Sequence, residues 1–325
     1  MTTVQQQAAR DTGRAPLSSL GIPFGLSGLA GTWTMASVTA LAPQFIAEVL
    51  WMLAAAAWIA VVANYLWRSR NRGGSIRADL CDPVQGAFAS LAPTSAMLIC
   101  THYAQLLPTA GRIVTGVFMA IALLFGAWFL AQLSTRERSI DAIHAGYLLP
   151  TVAAAFIVGQ SAGTFGWTLL GEAAIAVGIL FWLVLGTIIL ARMAFRPAPP
   201  AALLPTFAIF SAPPAVAGNA WFALNGGRID LVETMLLGTF VVLILVQLML
   251  LGPYLRLPFT LGFWAFTFTA ASSGTYTVHW LTLWGGPGHA LWAWLAIGLV
   301  TLLIGSIAVR SVALLAARTR TDAPG

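Results

Sequence analysis

Long apolar runs, separated by short polar breaks, account for nearly the whole chain. Each run is about 20 residues or longer, enough for a helix to cross a bilayer. The pattern predicts ten such helices, over residues 18–40, 43–67, 86–106, 110–133, 146–165, 168–194, 203–224, 231–254, 259–282 and 288–316. The breaks are too short to house a further domain. Residues 18–318 therefore read as one transmembrane domain, between a polar tail at 1–17 and a short tail at 319–325. No apolar stretch near the start ends at a small-residue cleavage site. An outer-membrane barrel is excluded, because its strands would alternate in short segments and not run continuously.

The odd and even spans differ in kind. Odd spans are built from small and hydroxylated residues, as in GIPFGLSGLAGTWTMAS, LAPTSAMLICT and FTFTAASSGTYT. Even spans are bulky, as in VFMAIALLFGAWFLA and FVVLILVQLMLL. Lipid tails favour bulky apolar side chains, whereas close helix contacts and water-lined surfaces favour Gly, Ala, Ser and Thr. The odd spans are thus expected to form an inner layer and the even spans an outer one.

The odd spans also share a break. Pro23, Pro93, Pro150 and the pair Pro213–Pro214 lie a turn or two inside the first four of them. The fifth carries Gly262 and Gly274 instead. Proline in a helix removes a backbone hydrogen bond and clashes with the carbonyl a turn back. One such break is an ordinary packing kink. Four in register, on one class of span, predict a repeated helical hairpin, five times over, around a central path. Candidates to line that path are Ser27, Thr94, Ser95, Ser161, Thr267 and Ser272, although interhelical hydrogen bonding is the commoner role of any one hydroxyl.

Composition narrows the class further. Of 325 residues, 59% are hydrophobic and 8% charged, with mean hydropathy +0.85. Soluble domains carry about a quarter charged residues, so a cytosolic enzyme, a nucleic-acid binder and a disordered chain are all excluded. The formal net charge is +6, and all 16 basic residues are Arg. Only Arg112 and Arg228 fall on one side of the predicted spans. The other side collects Arg10, Arg14, Arg68, Arg70, Arg72, Arg77, Arg136, Arg138, Arg192, Arg196, Arg256, Arg310, Arg318 and Arg320. By the positive-inside rule both termini are cytoplasmic. Cys81 and Cys100 stand outside any metal or redox motif, and neither a disulfide nor a metal is expected.

Reactive chemistry is missing from the expected inner layer. It contains no Asp, Glu or Arg; its ionisable groups are His102 and His279, both late in their spans. Glu48, Glu172 and Glu233 begin even spans, where a carboxylate favours the helix dipole. With no nucleophile elbow, phosphate loop or paired carboxylates, neither catalytic residues nor a cofactor are expected. Neutral polar groups suit selection by pore width and dipoles, and the net positive charge leans toward anions. In FWAFTF, Phe266 and Phe268 cannot both face one axis, since two helical residues differ by about 200°. The run TAASSGT after Phe268 is too small and polar to face lipid.

The chain resembles the tellurite-resistance/dicarboxylate transporter family, which includes TehA-like proteins and plant slow-type anion channels. The resemblance rests on GIPFGLSGLA at 21–30, DPVQGAFASLAPTSAML at 82–98, YLLPTVAAAF at 147–156, SAPPAV at 211–216, GGRIDLVETMLLG at 226–238 and LGFWAFTF at 261–268. It implies an all-α fold of five helical hairpins around a pseudo-fivefold pore, inner helices kinked at Pro, and a homotrimer with one pore per protomer. It also implies passage of small anions and an aromatic plug in the ninth helix, matched here by Phe268. The paired Pro213–Pro214 departs from the single proline usual there. The expected function is an anion channel or channel-like exporter of the bacterial inner membrane, gated by Phe268. The rival is a coupled carrier exporting C4-dicarboxylate, sulfite or tellurite.

Overall fold

Ten long helices make up most of the computed structural model, which describes residues 16–71 and 75–321, with side chains as far as residue 316. They are α1 (Gly21–Val38), α2 (Gln44–Asn71), α3 (Leu91–Tyr103), α4 (Pro108–Thr135), α5 (Ala154–Thr164), α6 (Thr168–Phe195), α7 (Pro213–Asn225), α8 (Leu231–Met249), α9 (Ala265–Trp284) and α10 (His289–Thr321). No strand occurs among the described residues. Residues 1–15 and 322–325 of the expected tails, Arg10, Arg14 and Arg72, and the side chains of Arg318 and Arg320 lie outside what is described.

Seven helical stretches are long and apolar enough to cross a membrane. They are the five even-numbered helices and the stretches Ala145–Thr164 and Ala201–Asn225. α1, α3 and α9 are not among them, because Gly, Ser and Thr dilute their hydropathy. Burial separates the two classes. The apolar window of Ala145–Thr164 is 89% buried and that of Ala201–Asn225 72% buried, against 17% to 33% in the five even helices. Leu53, Ile59, Leu124, Leu183, Val242 and Leu299 project outward from the even helices. A bilayer is the solvent that such a contiguous apolar surface suits. The inner and outer layers expected from composition are both present.

The inner helices close on one another. α1 packs on α3, α3 on α5, α5 on α7, α7 on α9, and α9 back on α1. Each also begins alike, with a tighter 3₁₀ segment: Leu17–Leu20, Gly86–Ser90, Ala145–Leu148, Ala201–Ser211 and Leu261–Trp264. A wider π-turn at Leu149–Ala153 joins the third of these to α5. The prolines sit at these changes of helix type. Pro23 and Pro93 lie in the first turns of α1 and α3, Pro150 in the π-turn, and Pro213 at the first position of α7. A first-turn residue has no intrahelical acceptor for its N–H, so proline is tolerated there. In four of the five inner helices a proline thus lies in the first turn or in the segment just before it.

Two expected boundaries move furthest. The eighth span breaks after Met249 and resumes as a short helix, Leu251–Leu255. Pro253 cannot donate to the carbonyl four residues back, which is that of Met249. α10 runs on through Thr321, past the end of its apolar run.

Candidate functional site

The inner ring closes where α1 meets α9, and glycine allows it. A Cβ on Gly25 would collide with the Thr267 side chain; one on Gly28 would lie 2.9 Å from Ala271 Cβ and 3.0 Å from Phe268 Cδ2. Thr32 of α1 donates to the Ala271 carbonyl at 3.0 Å. Against this seam the ring of Phe268 stacks on that of Phe24, centroids 3.7 Å apart and planes 16° from parallel. Phe24 is buried, and Phe268 is half-buried against the main apolar core. Phe266 points elsewhere, edge-on to Tyr254 at 4.8 Å and into a separate cluster. Phe24 was not singled out from sequence, although it follows Pro23 directly on an inner span.

The hydroxyls divide by hydrogen bonding. Ser27 donates to Pro23 O at 2.8 Å, Thr94 to Ser90 O at 2.5 Å, Thr267 to Trp264 O at 2.7 Å and Ser272 to Thr269 O at 3.1 Å. Each is a bond to the preceding turn of its own helix, the usual refuge of a buried hydroxyl. Ser95 and Ser161 are as deeply buried, yet their Oγ atoms have no partner among the described residues. Ser211 and Ser273 join them, so α3, α5, the segment before α7, and α9 each carry one hydroxyl with its donor free. Asn219 bridges α7 to α9 by donating to Ser272 O at 3.0 Å. Gly262 lies in the 3₁₀ segment before α9. Gly274 faces Val300 of α10, where a Cβ would come within 2.8 Å.

The ionisable groups pack in both layers. His102 Nε2 lies 3.1 Å from Glu48 Oε2 of α2, and its ring stacks on Trp51 at 4.6 Å. His279 packs on Phe222 at 4.0 Å. Asp230 caps α8, accepting from the Glu233 N–H at 2.9 Å. Burial opposes its charge, but hydrogen bonds from Glu233 N–H, Trp221 and Asn225 hold its carboxyl below the usual range. Glu233 does more than favour the dipole. It is fully buried, and Oε2 accepts from the Tyr276 hydroxyl of α9 at 2.8 Å. Tyr276 in turn fits over Gly218, where any Cβ would strike its ring. Asp230 followed by Glu233 is a capping signature legible in sequence; the turn of Glu233 inward is not. Cys81 and Cys100 are free thiols.

Comparison with known proteins gives the family. A family profile described as SLAC1, voltage-dependent anion channel, matches residues 14–315. The chain is also 26% identical over 260 residues to a tellurite resistance protein TehA homolog of Haemophilus influenzae, covering 79% of this chain and 78% of that protein. The family comprises membrane channels and transporters and not enzymes. An all-helical, multi-pass membrane chain with a closed inner ring of small-residue helices, it belongs to the SLAC1 voltage-dependent anion channel family.

Proposed function

We propose that the chain is an anion channel, or a channel-like exporter, of the bacterial inner membrane. In this reading it crosses the membrane ten times as five hairpins with pseudo-fivefold symmetry, both termini cytoplasmic, and assembles as a homotrimer. The observation that carries it is the cycle of contacts α1–α3–α5–α7–α9–α1, in which every member is preceded by a 3₁₀ segment. The path inside is neutral. Free hydroxyl donors such as Ser95 and Ser161 stabilise a partly dehydrated small anion without trapping it. Ser27, Thr94, Thr267 and Ser272, whose donors are engaged, shape the wall. Pro23, Pro93, Pro150, Pro213 and Gly262 set the neck where helix type changes. Phe268, backed by Phe24, closes it.

Anion-substitution currents through the purified protein in planar bilayers test this. The reversal potential should follow the anion gradient; a potential that follows the cation gradient refutes it. Orientation is read by an impermeant thiol reagent on intact cells carrying Cys100→Ala. Labelling of Cys81 from outside reverses the topology.

A second reading is a coupled carrier for C4-dicarboxylate, sulfite or tellurite. The name of the Haemophilus relative supports tellurite as its cargo, and Glu233, a buried carboxylate that touches inner helix α9, supports the coupling. Saturable liposome flux driven by a pH gradient would select it, and ohmic current would select the channel.

A further inference from the structure

We infer that a small cavity at the end of α6 binds a chloride-sized monovalent anion, held by the buried guanidinium of Arg192. The cavity measures about 20 Å³ and lies between residues 143–145 before α5, the last turns of α6 and residues 199–207 before α7. It is off the central path, because α6 belongs to the outer layer. That volume has room for a water-sized or halide-sized body.

Arg192 is the charge in this corner. Its side chain is buried at 4% exposure, it lines the cavity, and its Nε has no hydrogen-bond partner among the described residues. A guanidinium cannot shed its proton as a buried lysine can. A buried guanidinium with an unsatisfied Nε is costly, and a close anion offsets that cost. The α6 C-terminus offers only a partial negative charge.

The nearest carboxylate, Asp141, feels the Arg192 charge through space but gives its hydrogen bonds to another arginine. Asp141 is held by Arg196, which donates from Nε at 2.9 Å and from Nη2 at 2.7 Å. Asp82 accepts the backbone N–H groups of Val84 and Gln85. His144 is neutral and fully engaged: Nδ1 accepts from Gly146 N–H at 3.1 Å, so Nε2 carries the hydrogen and donates to Val84 O at 3.0 Å. Thr206 donates to Leu203 O at 2.6 Å. The other walls are apolar, among them Ile189, Met193 and Phe207. A single cation in an apolar pocket of this size matches a single halide.

Bromide is the probe. Crystals of the wild-type protein grown in sodium bromide should show an anomalous peak within hydrogen-bond distance of the Arg192 guanidinium; an occupied cavity without that peak, as a water would give, overturns the inference. In detergent solution, sodium bromide titrated against sodium gluconate at constant ionic strength should raise the wild-type Tm saturably, by ~2 °C or more. Arg192→Lys should keep much of the rise and Arg192→Gln lose it. An equal rise in wild type and Arg192→Gln places the bromide elsewhere and refutes the site. A rise with phosphate or anionic lipid but not bromide refutes the halide.

Discussion

The ring of Phe24 lies almost flat on the ring of Phe268, with centroids 3.7 Å apart. One residue belongs to the first inner helix and the other to the last, separated by most of the chain. The stack therefore fastens the seam that closes the ring, in addition to filling space beside it. The gate proposed for Phe268 would then have two parts, a plug and the surface it rests on.

Phe268→Ala is expected to raise anion conductance by about tenfold or more, equivalent to lowering a barrier by ~1.4 kcal/mol. Phe24→Ala is expected to raise it less, since Phe268 remains but loses its support. Phe24 is buried, so its truncation also costs ~3 kcal/mol of stability. Phe266→Ala, which alters a separate cluster, should leave conductance near wild type. Single-channel recording of the three variants checks this, and a leaky Phe266→Ala beside a closed Phe268→Ala shows the register to be wrong.

Gly28→Ala tests the seam directly. Its new methyl meets Ala271 Cβ at 2.9 Å and Phe268 Cδ2 at 3.0 Å. Overpacking of this kind costs ~1–3 kcal/mol. The ring of Phe268 is the neighbour able to turn away, so a lower Tm should accompany a raised basal leak. A lower Tm with unchanged leak means that the helices separate while the plug stays in place.

Tyr276→Phe removes the 2.8 Å hydrogen bond to the buried Glu233 carboxyl. The expected loss is ~1–3 kcal/mol. A double-mutant cycle with Glu233→Gln should give a coupling of ~1 kcal/mol, measured by thermal unfolding. Zero coupling would mean the two side chains act independently. If Glu233 serves a coupled carrier, Glu233→Gln also abolishes the response of flux to a pH gradient; in a channel it does not.

His144 makes the fold acid-sensitive over a defined window. Burial pushes its imidazole from 6.5 down to about 4, outweighing the hydrogen bond to Val84. The folded state thus binds the proton more weakly than the unfolded chain. Stability is undiminished above about pH 6.5, falls as the pH drops below it, and the loss levels off near pH 4 at ~3 kcal/mol. His144→Gln should flatten this part of the Tm–pH profile. A wild-type slope that survives the substitution assigns the sensitivity to another group.

Much of this protein is legible in one dimension. The 8% charged residues and the run lengths dictate a polytopic helical membrane chain, because nothing else solvates so apolar a surface. The contrast between GIPFGLSGLAGTW and VFMAIALLFGAWF dictates which helices go inside, since lipid and a neighbouring backbone ask for different side-chain sizes. The prolines of the odd spans predict a repeated break, and the structure resolves it as a change from 3₁₀ or π to α. Tertiary structure decided the rest. Any Ser or Thr on a helix can reach the carbonyl a turn back, so sequence cannot tell engaged Ser27 and Thr94 from free Ser95 and Ser161; packing around each rotamer selects. The partners of Phe268, Glu233 and Arg192 are likewise set by how the helices meet. Phe24 and Phe268 come together only when the ring closes, Glu233 meets Tyr276 across two helices, and Arg192 keeps an unbonded Nε while Asp141 is bonded to Arg196. Such pairings depend on the direction in which each helix face looks, which no local pattern in the chain encodes.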